Sequence, residues 1–81
     1  MILHVTEVQY LGDYRLRLKF NNGIEGVVDL ASELYGDIFA PLLDPAYFRS
    51  GKLTSRTIEW PNGADFAPEF LLQALLQPAS V

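Results

Sequence analysis

The chain has 81 residues, enough for one domain spanning 1–81, and a chain this short buries only about 60–65% of its unfolded surface. It contains no cysteine, which excludes disulfides, thiolate metal sites and cysteine nucleophiles. Ten acidic residues against six basic ones give a net charge of −4; since nucleic-acid affinity comes largely from Lys and Arg neutralising phosphates, autonomous nucleic-acid binding is not expected.

Met1-Ile2-Leu3-His4 lacks a basic region followed by an apolar run, so no signal peptide is expected. No stretch approaches the roughly 20 apolar residues that span a bilayer. A cytoplasmic protein is the resulting expectation. Tyr14 to Phe20 reads Tyr-Arg-Leu-Arg-Leu-Lys-Phe, a strict alternation that marks a strand with one buried face. Asn21-Asn22-Gly23 then signals a hairpin, with residues 24–30 returning.

Register follows the buried face. A two-residue loop would set Phe20 against Glu25 and Leu16 against Asp29. A three-residue loop, with Gly23 in the left-handed bulge position, sets Phe20 against Ile24, Leu16 against Val28 and Tyr14 against Leu30. It also pairs Lys19 with Glu25 and Arg15 with Asp29, so the three-residue loop is favoured. The same reasoning applied to residues 3–10 gives a loop at 11–13. Tyr10 then lies beside Tyr14, Val8 beside Leu16 and Glu7 across from Arg17. The basic stripe Arg15, Arg17 and Lys19 is thereby compensated across strands, which favours a solvated face over a phosphate site.

The middle is irregular. Asp29 or Ser32 can cap a short helix that Gly36 ends. Asp44-Pro45 is a clearer start, a cap followed by proline at the first helical position. Phe39, Leu42, Leu43 and Phe48 are expected core contacts. Residues 52–60 read as two short strands, with Leu53, Ile58 and Trp60 buried and a turn near Ser55-Arg56. Pro61-Asn62-Gly63 turns the chain. Asp65 is placed to cap a last helix over 66–77, which Pro78 stops. On that helix Glu69, Gln73 and Gln77 form one narrow polar stripe. Phe70, Leu71, Leu72, Ala74, Leu75 and Leu76 cover the rest, an apolar arc wider than the roughly 100° a helix needs against a sheet. Phe70, Gln73, Ala74, Leu76 and Gln77 are therefore the candidate partner-binding residues. The fold class is α+β: an antiparallel sheet of three N-terminal strands plus a short second hairpin, short middle helices and the helix 66–77.

Four features occur in a fixed order: Phe20-Asn21-Asn22-Gly23; Asp29-Leu30; the Phe-x-Pro-Leu-x-Asp-Pro-x-x-Phe run from Phe39 to Phe48; and Trp-Pro-Asn-Gly-Ala-Asp-x-x-Pro-Glu from Trp60 to Glu69. In this the chain resembles the bacterial domain of unknown function 2442 family over about residues 3–76. The resemblance implies a compact α+β domain. It also implies a neighbouring gene for another small protein, in an arrangement like a toxin–antitoxin cassette. Some family members carry an added helix-turn-helix segment. This chain, ending at Val81, is expected to lack it, and its 53–58 hairpin is short for the family.

Candidate chemistry is sparse. The one histidine, His4, reads as a surface or sheet-edge residue. No clustered metal ligands are evident, and no metal or cofactor is expected. Ser32, Ser50, Ser55 and Ser80 sit in turn, cap or terminal contexts rather than beside His4. No glycine-rich phosphate loop is present. Asp65 and Glu69 form the one acidic pair in a special context. They read as a helix cap and a first-turn acid, with general acid–base work as the alternative. Trp60 reads as core, with a ligand-stacking role as its alternative. Trp60, Pro61, Asn62, Gly63, Asp65, Pro68 and Glu69 are thus expected to be structural.

Two functional readings follow. The first is a non-catalytic protein-interaction module, antitoxin-like, bound to a small protein partner or to itself as a homodimer or other homo-oligomer. The alternative is a small ligand-binding domain or enzyme with a site around Trp60–Glu69.

Overall fold

Alternating burial along Arg15–Phe20 organises the molecule: Leu16, Leu18 and Phe20 are buried while Arg15, Arg17 and Lys19 face out. The computed structural model describes residues 2–75. Strands β1 (Val5–Gly12), β2 (Arg15–Phe20) and β3 (Glu25–Asp29) form an antiparallel sheet in the order β1-β2-β3. Strands β4 (Lys52–Leu53) and β5 (Ile58–Glu59) form a second, two-stranded sheet. Two short helices, α1 (Pro45–Phe48) and α2 (Pro68–Ala74), and two 3₁₀ turns complete the described α+β fold. The Val5 N–H donates to the Arg56 carbonyl at 2.8 Å and ties the first sheet to the second hairpin.

The β2–β3 register is the one the buried face requires: Leu16 pairs with Val28, Lys19 with Glu25 and Arg15 with Asp29. Gly23 sits at φ +89°, the left-handed position of the loop, and the Phe20 N–H reaches the Ile24 carbonyl at 2.9 Å. The ion pairs are Arg15–Asp29 at 3.3 Å and a diagonal Arg17–Glu25 at 3.9 Å. Both are solvent-exposed and contribute about 0–1 kcal/mol each.

The β1–β2 register corrects the expected one. Tyr10 pairs with Leu16, Val8 with Leu18 and Glu7 with Lys19. Asp13 (φ 54°) and Tyr14 (φ 64°) are both left-handed. They make a two-residue turn of the primed kind, whose twist matches the strands it joins. Moving the register by two residues leaves the same side chains on the buried face, so burial did not distinguish the two pairings. Left-handed backbone at a non-glycine residue costs about 1–3 kcal/mol. At Tyr14 two distant contacts offset it: its hydroxyl donates to the Leu43 carbonyl, and its ring stands edge-on to Phe48 at 5.4 Å.

In the middle, neither Asp29 nor Ser32 caps a helix as expected; Leu30 holds the N-cap position, and Asp29 instead closes a local turn just before it. Its Oδ1 accepts from the Ala31 N–H at 3.0 Å, and only a 3₁₀ turn, Ala31–Glu33, follows. A second 3₁₀ turn, Ala40–Leu43, buries Leu42 and turns Leu43 outward, leaving Leu43 47% exposed against expectation. Leu53 is likewise 40% exposed, because β4 is too short to cover it. Asp44 caps α1, accepting from the Ala46 N–H at 3.0 Å, with Pro45 opening the helix.

The last helix starts later than expected, and Asp65 does not cap it. Asp65 forms an antiparallel bridge with Glu59, which keeps the chain extended. Ala67 is then held at φ −59°, ψ 139°, as the residue before a proline must be, and Pro68 opens the helix. No side chain caps its N-terminus. Leu75 leaves the helix in an extended conformation and bridges Val28 at the edge of β3. Leu71 and Leu75 are buried, and Leu72 and Ala74 half-buried, so the sheet absorbs much of the wide apolar arc. The helix thus ends at Ala74, short of the expected Gln77, and Pro78 lies outside the described residues.

The two aspartates should therefore respond differently to truncation. Asp44→Ala is expected to lower the unfolding free energy by about 0.5–2 kcal/mol. Asp65→Ala, at an exposed side chain without a hydrogen bond among the described residues, should stay within about 0.5 kcal/mol. Urea denaturation of the two variants checks the contrast.

Candidate functional site

Trp60–Glu69 is first of all a piece of construction. The Gly63 N–H returns to the Trp60 carbonyl and the Trp60 N–H to the Ala64 carbonyl, each at 2.9 Å, with Gly63 at φ +88°. Asn62 works in two directions. Its Oδ1 accepts from the Ala64 N–H at 3.0 Å, and its Nδ2 donates to the Ile38 carbonyl at 2.8 Å. One side chain thus closes the turn and fastens it to the 37–40 segment. The buried Thr57 hydroxyl donates to the Phe66 carbonyl at 2.7 Å and fixes the extended run before α2.

Trp60 is 2% exposed, and its indole N–H donates to the Phe48 carbonyl at 2.8 Å. Gly51 lies against this ring: a Cβ there would come within 2.8 Å of Trp60 Cε2. The rings form a connected cluster. Phe48 touches Trp60 at 5.6 Å and Tyr10 at 5.8 Å between centroids, and Trp60 meets Phe66 edge-on at 6.0 Å. Phe66 is stacked on Phe39 at 4.7 Å and on Phe70 at 5.5 Å. An aromatic path therefore leads from the buried indole to the surface at Phe70.

Of the depressions beside this path, two bear on the candidate site. One, about 400 Å³ and open, runs beside the Trp60 turn and is lined by Ser50, Lys52, Thr54, Glu59, Trp60, Pro61 and Gly63. The other, about 240 Å³, lies where α2 begins and is lined by Glu33, Tyr35, Phe39, Asp65, Phe66, Ala67 and Phe70. Tyr35 is 71% and Phe70 37% exposed there.

Of the residues expected at a partner surface, Phe70 borders the second depression, while Gln73 is exposed and Ala74 half-buried further along α2. Leu76 and Gln77 lie outside the described residues. Pro61 and Glu69 are exposed, and Pro68 is buried at the start of α2. Asp65 and Glu69 flank the extended segment and the first turn rather than forming one helical face. His4 is half-buried; its ring Nδ1 lies 3.3 Å from the Ile2 carbonyl, and its backbone N–H donates to Asn21 Oδ1. Among the described residues no three metal-ligating side chains come together, and no helix is long and apolar enough to cross a membrane. Reading the sequence missed Tyr35 as a surface group; Phe39, expected as a core contact, packs against the core and also lines the groove. The groove joins two segments, 33–39 and 65–70, so no single periodicity could reveal it.

Fold and turn together define a small α+β domain held by an aromatic core. The chain belongs to the family described as Protein of unknown function (DUF2442), whose profile matches residues 5–75. No curated protein and no solved structure matches it.

Gly51→Ala tests the packing on the indole. Overfilling a well-packed site costs about 1–3 kcal/mol, so this variant should melt earlier, with altered native tryptophan fluorescence.

Proposed function

We propose that the protein is a small, non-catalytic protein-interaction module, the antitoxin-like partner of another small protein. The observation that carries this reading is the aromatic surface at the start of α2. Phe70 and Tyr35 stay 37% and 71% exposed, whereas the other aromatic rings are buried in the core or half-buried against it. Aromatic residues in a contiguous exposed patch mark interaction sites. The docking surface runs from the groove along Phe70, Gln73 and Ala74. The net charge of −4 suits a basic partner, and the paired-gene arrangement implied by the family resemblance supplies a small one. Self-association as a homodimer would use the same surface.

A small ligand site or enzyme around Trp60–Glu69 is the less supported reading. The Trp60 ring is committed to the core and its indole N–H to Phe48, so the open depression beside it has no free indole face for stacking.

The test uses the tagged full chain as bait, followed by affinity measurement with the recovered protein or with itself. Gln73→Lys, at an exposed position, should weaken association about tenfold, equivalent to about 1.4 kcal/mol, with stability changed by less than about 0.5 kcal/mol. Phe70→Asp should weaken it further. Association unaltered in both variants would overturn the proposal.

A further inference from the structure

The groove at the start of α2 combines aromatic walls with uncompensated negative charge. Its walls are Tyr35, Phe39, Phe66 and Phe70, and its acids are Glu33 and Asp65. Phe39 and Phe70 each give one ring face to the stack on Phe66. Among the described residues no Lys or Arg lines it. The ion pairs among the described residues are Arg15–Asp29 and Arg17–Glu25, both on the outer face of the first sheet. Arg56 and Asp65 border a neighbouring depression without forming an ion pair. Elsewhere the molecule already joins a guanidinium to a ring: Arg49 lies over Tyr10 at 5.0 Å from the centroid.

These features select an occupant. A guanidinium stacks on aromatic faces and forks onto carboxylates, and it sheds water more readily than an ammonium. The groove's volume of about 240 Å³ falls below the about 300–1,000 Å³ of typical small-molecule sites and suits one inserted side chain. We propose that this groove takes an arginine side chain from a basic partner protein, the guanidinium held against the aromatic walls and the carboxylates of Glu33 and Asp65. This inference rests on the interaction-module reading and specifies the partner's chemistry. The acidic rim would also repel acidic competitors, giving selectivity by charge.

The experiment titrates the full chain with the peptide acetyl-Gly-Leu-Arg-Leu-Arg-Gly-amide, following the aromatic ring resonances by NMR. Controls replace both arginines by lysine or by glutamate. The expected result is saturable movement of the Tyr35, Phe39, Phe66 and Phe70 signals with the arginine peptide. Lysine should give weaker movement, and glutamate none. Glu33→Gln combined with Asp65→Asn should weaken binding at least about fivefold, as the loss of exposed charge pairs can, and added salt should weaken it further. No arginine-dependent movement up to about 5 mM, where even a millimolar site would be mostly filled, overturns the proposal. So does equal movement with the glutamate peptide. Movement of the same signals with rising protein concentration and no peptide assigns the groove to a second copy and also overturns it. A recovered partner that is lost on Phe70→Asp yet indifferent to Glu33→Gln and Asp65→Asn keeps the interaction module and removes the arginine occupant.

Discussion

The hydrogen bond from the Trp60 indole to the Phe48 carbonyl is the constraint on which the rest of the structure depends. A buried indole N–H left without an acceptor costs about 1–3 kcal/mol. The acceptor is open because Phe48 is the last residue of α1, so its carbonyl has no donor four residues on in the helix and otherwise takes only a long 3.5 Å contact from the Gly51 N–H. Asp44 and Pro45 start that turn, and Gly51 ends the segment with no side chain to collide with the ring. Asp44-Pro45, Ser50-Gly51 and Trp60-Pro61 all fall within residues 44–61 and serve one packing arrangement.

From Trp60 the aromatic contacts run outward through Phe66 to Phe39 and Phe70. A domain of this size has little interior, so a ring cluster that begins in the core must end at the surface. Charge follows the same division. Arg15 and Arg17 on the outer face of the first sheet meet acids across strands, whereas Glu33 and Asp65 at the groove form no ion pair among the described residues. The two faces of the molecule thus differ in kind: one is a compensated polar surface, the other an apolar groove with an acidic rim.

Legibility in the sequence depended on how local the deciding interaction was. The β2–β3 register could be read because Gly23 and seven alternating residues impose it together. The β1–β2 register could not, because Tyr14 adopts left-handed backbone under contacts from Leu43 and Phe48, roughly 30 residues away. Asp65 looks like a cap beside a proline-started helix. Its bridge to Glu59 comes from the second hairpin, and no local preference announces it. For the candidate site, Phe70 and Gln73 were visible on a helical wheel, but their neighbours Tyr35, Phe39 and Glu33 arrive from a segment 30 residues earlier.

The sequence by itself determined the α+β class, the three-stranded sheet with its central alternating strand, the capped turn at Asp44, the burial of Trp60 and the family. Each rests on near-neighbour geometry: period-two burial, turn glycines, proline's fixed φ, and the need to bury a large ring. Only the tertiary structure decided the first hairpin's register, the late start of α2 and the aromatic groove with its acidic rim. In those places two or more conformations satisfy local preference about equally, and contacts between distant segments tip the balance.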